Sequence, residues 1–366
     1  MTGRNWNVVV VVGTRPEIIK MAPVIRALNN REGVTPTIVH TDQHYDDNLS
    51  ADFFTVLELP DPVAHLGVGS GDHAEQTADG LATIDQFLHD QDQDPAAVLA
   101  QGDTNTVLST ALAASKHSTP FGHIEAGIRS FDWSMPEEIN RTLADQAADL
   151  LFAPTETAAD NLAAEGIHDD VVTTGNTIVD ACRDHVDLAT KKSTILTQHT
   201  LEPDAYVVAT IHRERNTDDL DRLQTIVETL DDQPFPVVFP AHPRTKAALE
   251  ELHWTADGSL QILDPLDYLD FLCLLSSARV VVTDSGGIQE EAAVLEVPCL
   301  TVRPNTERPE TIEAGVNQLT TPADLNHRLT STYENPDPMT GHPDLYGDGS
   351  AGDHIVDALT NYLARQ

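Results

Sequence analysis

The sequence predicts an α/β protein of two domains with a parallel sheet in each, and three observations carry this expectation. At 366 residues the chain exceeds what a single core usually supports. A hydrophobic content of 40% is enough to give each half a core of its own. Apolar runs of strand length alternate with helix-period stretches, which is the pattern of a parallel sheet with crossover helices.

The first series of strand-length runs covers 8–12, 37–40, 97–100, 121–124 and 150–153, each stopped by Gly, Pro or polar residues. A second series covers 206–211, 237–240, 260–263, 279–283 and 298–302. Between them, 180–203 is helical at first and then polar, and reads as the connection between domains at 1–180 and 181–352. After the first run, Ile18, Met21, Ala22 and Ile25 recur at helical spacing. The stretch 335–352, rich in Pro and Gly, reads as loop, and 353–365 as an amphipathic helix with Ile355, Leu359, Tyr362 and Leu363 on its apolar face. No solenoid-length repeat is visible.

Charge narrows the function classes. Lys and Arg total 21 against 59 Asp and Glu, a formal net charge of −38, and only five of the basic residues are Lys. Such a surface repels nucleic acid and anionic membrane, so neither is an expected partner. The acid is spread among regular apolar patterns, which makes it a solvated surface and not a disordered tail. Abundant acid with little Lys suits concentrated salt, where screening relieves self-repulsion, and a halophilic host is the expectation. The melting temperature should therefore rise with KCl; a protein most stable in dilute buffer contradicts this reading.

Cys182, Cys273 and Cys299 lie far apart with no CxxC pair, so neither a zinc site nor a disulfide framework is indicated, and a reducing compartment follows. The valine run after Asn7 is too short for a signal sequence or a membrane span. The expected location is cytoplasmic.

In open parallel sheets ligands bind beyond the carboxyl ends of the strands, so residues just after each strand are read first. Gly13-Thr14-Arg15-Pro16-Glu17 follows the first run, where Pro16 suits a first helical turn and Arg15 and Lys20 put two cations near a helix start that already favours anions. In the second half, Asp284-Ser285-Gly286-Gly287 precedes a helix expected to begin near Ile288, and two glycines let backbone N–H groups approach an anion. Glu291, one turn into that helix, is placed to accept hydrogen bonds from ribose hydroxyls. Asp103, Glu125 and Glu137 each follow a strand of the first half. Singly, each reads as well as a cap or a solvated group; together they read as acid/base machinery. His212 and His242 follow strands of the second half, and a structural role is equally open for His242. The remaining histidines lack metal-ligand spacing, so no metal is expected. The loop Gly67-Val68-Gly69-Ser70-Gly71 fails the dinucleotide pattern because Asp72 stands at the last glycine position, so it reads as a flexible loop and no nicotinamide cofactor is expected.

Several of these strings are specific to one family. Gly13 through Lys20, Gln101-Gly102-Asp103-Thr104, His123 through Arg129, Pro136 through Arg141, Gly175-Asn176-Thr177, Asp284 through Glu291, Thr306 through Glu310 and Tyr346-Gly347-Asp348-Gly349 resemble non-hydrolysing UDP-N-acetylglucosamine 2-epimerases, in family order over nearly the whole chain. The resemblance implies two Rossmann-like domains of the glycosyltransferase-B type, the active site in the inter-domain cleft, and the last helix, 353–366, packed back on the first domain. It implies that Ser285, Gly286, Glu291 and Arg308 hold UDP, with Arg15, Lys20 and His212 near the diphosphate; Gly287 and His242 are further candidate substrate-binding residues. Asp103, Glu125 and Glu137 match the family's catalytic carboxylates, with His212 as a further candidate. The implied partners are UDP-GlcNAc and UDP-ManNAc, the implied assembly a homodimer, and, with the acidic surface, the implied source a halophilic archaeon. Bacterial members bind a second substrate molecule as an activator through a segment resembling 41–46. Gln43 and His44 are retained here, but Asp46 replaces a second Gln and no Arg occurs near Gly69, so loss of this activation is expected.

The chemistry explains such a residue set. The C2 proton of the sugar has no neighbouring carbonyl to acidify it, and the absence of a dinucleotide fingerprint leaves elimination of UDP and its re-addition to a glycal as the reading. A 2-epimerase of a related UDP-2-acetamido sugar, such as a 2,3-diacetamido uronic acid, would carry similar strings at the UDP end; a hydrolysing 2-epimerase and a glycosyltransferase are the further rivals, and the full set of acidic strand-end residues speaks against a non-catalytic sugar-nucleotide sensor.

Overall fold

The computed structural model describes residues 5–43, 53–336 and 345–366. His44 and Asp46 lie outside them. Two compact units are present, one formed by Met1–Ala181 with Tyr346–Gln366 and the other by Cys182–Leu345.

Among the described residues the first unit holds seven strands: β1 (Trp6–Val12), β2 (Val34–His40), β3 (Ala64–His65), β4 (Ala97–Gln101), β5 (Phe121–Ile124), β6 (Leu150–Ala153) and β7 (Val171–Thr173). Their order is β3-β2-β1-β4-β5-β6-β7, and every described pairing is parallel. Val8 to Val12 are buried on both faces, as expected of a central parallel strand covered by helices on each side. The second unit holds β8 (Val207–Thr210), β9 (Val237–Pro240), β10 (Leu260–Leu263), β11 (Val280–Thr283), β12 (Cys299–Thr301) and β13 (Asn317–Leu319), in the order β10-β9-β8-β11-β12-β13. The α/β class with two parallel-sheet, Rossmann-like units is thus as expected, with β3, β7 and β13 added to the strands read from sequence.

Strand order reverses between β1 and β4 in one unit and between β8 and β11 in the other. These reversals open a crevice beyond the strand ends, where ligands of doubly wound sheets bind. Gly13-Thr14-Arg15 and Gly102-Asp103 flank the first reversal, and His212 and Asp284-Ser285 flank the second.

Both predicted helical faces are buried: Ile18, Met21, Ala22 and Ile25 on Arg15–Asn30, and Ile355, Leu359, Tyr362 and Leu363 on Ala351–Arg365. These two helices meet within the first unit at Gly352, where a Cβ would stand 2.8 Å from the carbonyl of Pro23, so only glycine permits the approach. The Gly352 N–H donates to Asp180 at 3.0 Å, which ties the start of the last helix to the helix Thr177–Lys192. The helix after β11 spans Gly286–Val294 and so begins two residues earlier than the sequence suggests, because Ser285 takes the extended N-cap conformation. No helix among the described residues is long and apolar enough to cross a membrane.

Candidate active site

At the first reversal the chain builds a dense polar network. Glu17 stands at the third position of its helix behind the N-cap Thr14, a capping-box arrangement. Its carboxylate accepts from the N–H groups of Gly13 at 2.5 Å and Thr14 at 2.9 Å and from the Thr104 hydroxyl, so one buried side chain joins the loops after β1 and β4. Burial pushes Glu17 up from its ordinary 4.5 to about 7, against the hydrogen bonds from Thr104, Gly13 and Thr14 and with help from the Asp103 charge.

A raised carboxyl pKa makes stability depend on pH with a definite sign. The unfolded chain releases this proton above about 4.5 while the folded chain keeps it until about 7. The contribution is therefore complete at the acid end and fades as pH rises through that window, by about 3 kcal/mol. Urea unfolding of wild type against Glu17→Gln between these pH values should show wild type losing relative stability as pH increases; a pH-independent difference contradicts the shift.

Asp103 and Glu125 occupy the ends of the neighbouring strands β4 and β5, where Gln101 is in register with Ile124. Glu125 has the left-handed φ of 70°, uncommon for a non-glycine residue and frequent where function dictates the backbone. Its carboxylate pairs with the Lys20 ammonium at 2.5 Å and accepts from the Gln101 amide. Asp103 pairs with Arg141, and its backbone carbonyl accepts from Asn140 at 3.0 Å. About a third of the Asp103 side chain is exposed, whereas that of Glu125 is almost wholly buried. Glu137 lies half-buried in the first turn of Pro136–Ala147. Its neighbour Glu138 is scaffold: it accepts from the Ser130 and Phe131 N–H groups and pairs with Arg141. Arg141 thus bridges Glu138 and Asp103.

Beneath these carboxylates, His123 is fully buried, with Nδ1 2.6 Å from Asp145 and Nε2 2.8 Å from the Gly102 carbonyl. Burial opposes a charge on this ring, but the Asp145 carboxylate and the Gly102 carbonyl hold its pKa above the ordinary histidine value. A doubly protonated ring satisfies both acceptors and braces the loop that carries Asp103. Asp145 also binds Arg129 at 2.7 Å and the Gly127 N–H at 3.1 Å.

Arg15 is half-buried, its guanidinium 5.4 Å from the centre of the Phe53 ring. Lys20, read from sequence as an anion-binding cation, is placed on Glu125. Gln43 is buried, and its side-chain oxygen accepts from the Thr106 N–H at 2.9 Å and hydroxyl at 2.7 Å. The glycine run at 67–71 runs beside β2: the Leu66, Val68 and Gly69 N–H groups donate to the carbonyls of His40, Thr41 and Asp42.

At the second reversal, the fully buried Asp284 carboxylate accepts from the N–H groups of His212 and Arg213 and from the Asn216 amide, and lies 2.9 Å from His212 Nδ1. Burial works against its ionisation, yet His212, Asn216 and the Arg213 N–H keep its pKa below the usual carboxylate range. His212 is thereby held with its outer ring edge toward solvent. Ser285 is the N-cap of Gly286–Val294, but its hydroxyl does not cap the helix. A Cβ on Gly286 would meet the Glu307 carboxylate at 2.7 Å and would have to displace it, whereas a Cβ on Gly287 would meet nothing within 4 Å. Arg308 pairs with the buried Glu290, and Arg303 and Arg213 pair with Glu307. Burial is outweighed there by Arg308, Arg303 and Arg213, which hold Glu307 far below the carboxylate range. Glu291 is half-buried on the same helix. His242 caps Pro243–Glu251, and its ring centroid lies 6.1 Å from that of His212.

Residues missed from sequence are mainly the braces: Glu17, Gln101, Arg141, Asp145 and Asp284. Only Glu17 carried a local signal, the capping-box spacing from Thr14.

The family model described as UDP-N-acetylglucosamine 2-epimerase matches residues 26–360. The chain belongs to the UDP-N-acetylglucosamine 2-epimerase family. Among relatives, it is 43% identical to the UDP-N-acetylglucosamine 2-epimerase of Methanocaldococcus jannaschii, over 96% of this chain and 98% of that one. It is 38% identical to the UDP-2,3-diacetamido-2,3-dideoxy-D-glucuronate 2-epimerase of Pseudomonas aeruginosa, over 96% of this chain and 99% of that protein. The crystal structure of the M. jannaschii UDP-GlcNAc 2-epimerase in complex with UDP-GlcNAc and UDP matches with a TM-score of 0.89 at 42% identity, covering 97% of this chain and 99% of that one. The strings that resemble this epimerase family also meet in the fold: the Asn176 N–H donates to the Tyr346 carbonyl at 2.8 Å, and Gln289 accepts from Thr306 at 2.6 Å and Asn317 at 2.9 Å.

Proposed function

We propose that the chain interconverts UDP-N-acetylglucosamine and UDP-N-acetylmannosamine by epimerisation at C2, through elimination and re-addition of UDP. The observation that carries this reading is the pair of carboxylates at adjacent strand ends, Asp103 and Glu125, each oriented by a buried cation. A carboxylate takes the C2 proton while the C1–O bond breaks, and its electron pair leaves with the β-phosphate. C1 and C2 become a double bond. A carboxylic acid then returns a proton to the opposite face of C2, and a β-phosphate oxygen re-forms the bond at C1. Asp103, Glu125 and Glu137 divide the acid and base roles.

Negative charge grows on the departing UDP, and fixed donors stabilise it most effectively when they need no reorganisation. The N–H groups at the start of Gly286–Val294, beside the open space at Gly287, suit the diphosphate, with Ser285, Glu291 and Arg308 on the nucleotide and His212 and His242 on the diphosphate side; in the first unit Arg15 is the cation offered to the substrate, and Lys20 acts through Glu125. Exclusion of water keeps UDP and the glycal together, so free sugar is not released. The reaction belongs to the cytosol, where buried free Cys182, Cys273 and Cys299 stay reduced, and to a homodimer, for which exposed Ile139 and Leu143, one turn apart on Pro136–Ala147, offer apolar contact.

Incubation with UDP-GlcNAc in D₂O, followed by NMR, tests the reading. Deuterium at C2 with UDP still attached supports it; release of free N-acetylmannosamine or unchanged substrate contradicts it. A second reading, epimerisation of a UDP-2,3-diacetamido uronic acid, is favoured by the 38% identical relative named for that reaction. The same assay with that sugar nucleotide decides between them by relative kcat/KM.

A further inference from the structure

We propose a divalent transition-metal site formed by His40, Asp42 and His65 in the first unit. It is distinct from the residues assigned to the epimerisation. His40 ends β2 and His65 ends β3, and the two are register partners in a parallel pair, so their side chains stand together on one face of the sheet. Their ring centroids are 5.5 Å apart. Asp42, two residues beyond His40, turns back toward them through a left-handed φ of 60°. One donor atom from each of the three residues falls within 4.8 Å of the others.

The hydrogen bonding of this cluster leaves a place for a cation. Asp42 Oδ2 accepts from the Gly67 N–H at 3.1 Å, which turns Oδ1 toward His40 Nδ1 at 2.6 Å and His65 Nδ1 at 2.9 Å. The Asp42 N–H also lies 3.0 Å from His40 Nδ1. His40 Nε2 is buried with no hydrogen-bond partner among the described residues, so the polar engagement of the ring is all on the Nδ1 side.

Two imidazoles and one carboxylate select zinc, cobalt or nickel over magnesium and calcium, which prefer oxygen ligands. Bonds of about 2.0–2.2 Å in tetrahedral geometry place ligand atoms about 3.3 Å apart, so the Asp42 contacts of 2.6 Å to His40 and 2.9 Å to His65 open by roughly half an ångström. His40 forms the buried wall, while more than half of the His65 side chain is exposed, which leaves the remaining coordination positions to water. Occupancy would pin the short edge strand β3 to the end of β2, next to Gln43.

The test uses the full chain after treatment with a chelator. Titration with Co²⁺ should give one equivalent per chain with visible d–d absorption, displaced by Zn²⁺. Asp42→Gly and His65→Gln should each weaken binding by about 100-fold or more, since even outer-shell changes cost 10–100-fold. His89→Gln, which removes a different exposed histidine, should leave binding unchanged. Asp42→Gly also separates binding from folding: glycine suits a φ of 60°, so the variant should keep the backbone turn and unfold cooperatively from a native far-UV spectrum. Absence of saturable Co²⁺ binding in wild type, or equal binding by wild type and both variants, overturns the proposal.

Discussion

Asp103→Asn is expected to lower kcat by roughly 10²–10⁴-fold, the range for loss of a positioned acid or base, while UDP binds nearly as well as to wild type. The substitution keeps the shape of the side chain and an oxygen for Arg141, and removes the charge and with it the capacity to take or give the proton. Because Asp103 is assigned to the sugar and not to the nucleotide, its loss should fall on the chemical step. Steady-state turnover with calorimetric UDP binding checks both halves. Near-normal turnover removes Asp103 from the catalytic set, and a parallel collapse of UDP affinity assigns it to binding.

Asp284→Ala is expected to cost about 3–5 kcal/mol of unfolding free energy, the range for breaking a buried, hydrogen-bonded charge. The carboxylate organises the turn after β8: without it the N–H groups of His212 and Arg213 and the Asn216 amide lose their acceptor, and His212 loses its support. Each unsatisfied buried group adds its own desolvation cost. Asp284→Asn keeps one acceptor oxygen and should lie between the two. Urea denaturation measures the effect, and a loss below about 1 kcal/mol would reduce Asp284 to an ordinary surface-like contact.

The central architecture was legible because burial writes itself into the sequence. The run at 8–12 is apolar at every position since helices cover β1 on both sides, and the faces of Arg15–Asn30 and Ala351–Arg365 repeat at 3.6 residues. The edge strands were not. β3 has only two residues, β7 is half-exposed at Val171 and exposed at Val172 and Thr173, and β13 has a single apolar residue, so none offers a buried apolar run. The candidate carboxylates could be named because they directly follow strands. Their braces could not, since Arg141 reaches Asp103 and Asp284 reaches His212 only after distant segments pair. The same holds for His40 and His65: they share a register only because β3 exists, and no spacing along the chain announces it.

Breakage of the bond between C1 and the β-phosphate oxygen is the central claim. It is tested most directly with UDP-GlcNAc carrying ¹⁸O in the bridge between C1 and the β-phosphorus. During turnover the label should scramble into the non-bridging β-phosphate positions as UDP leaves, rotates and returns, read as isotope-shifted ³¹P signals. Inversion at C2 with the label still wholly in the bridge contradicts elimination.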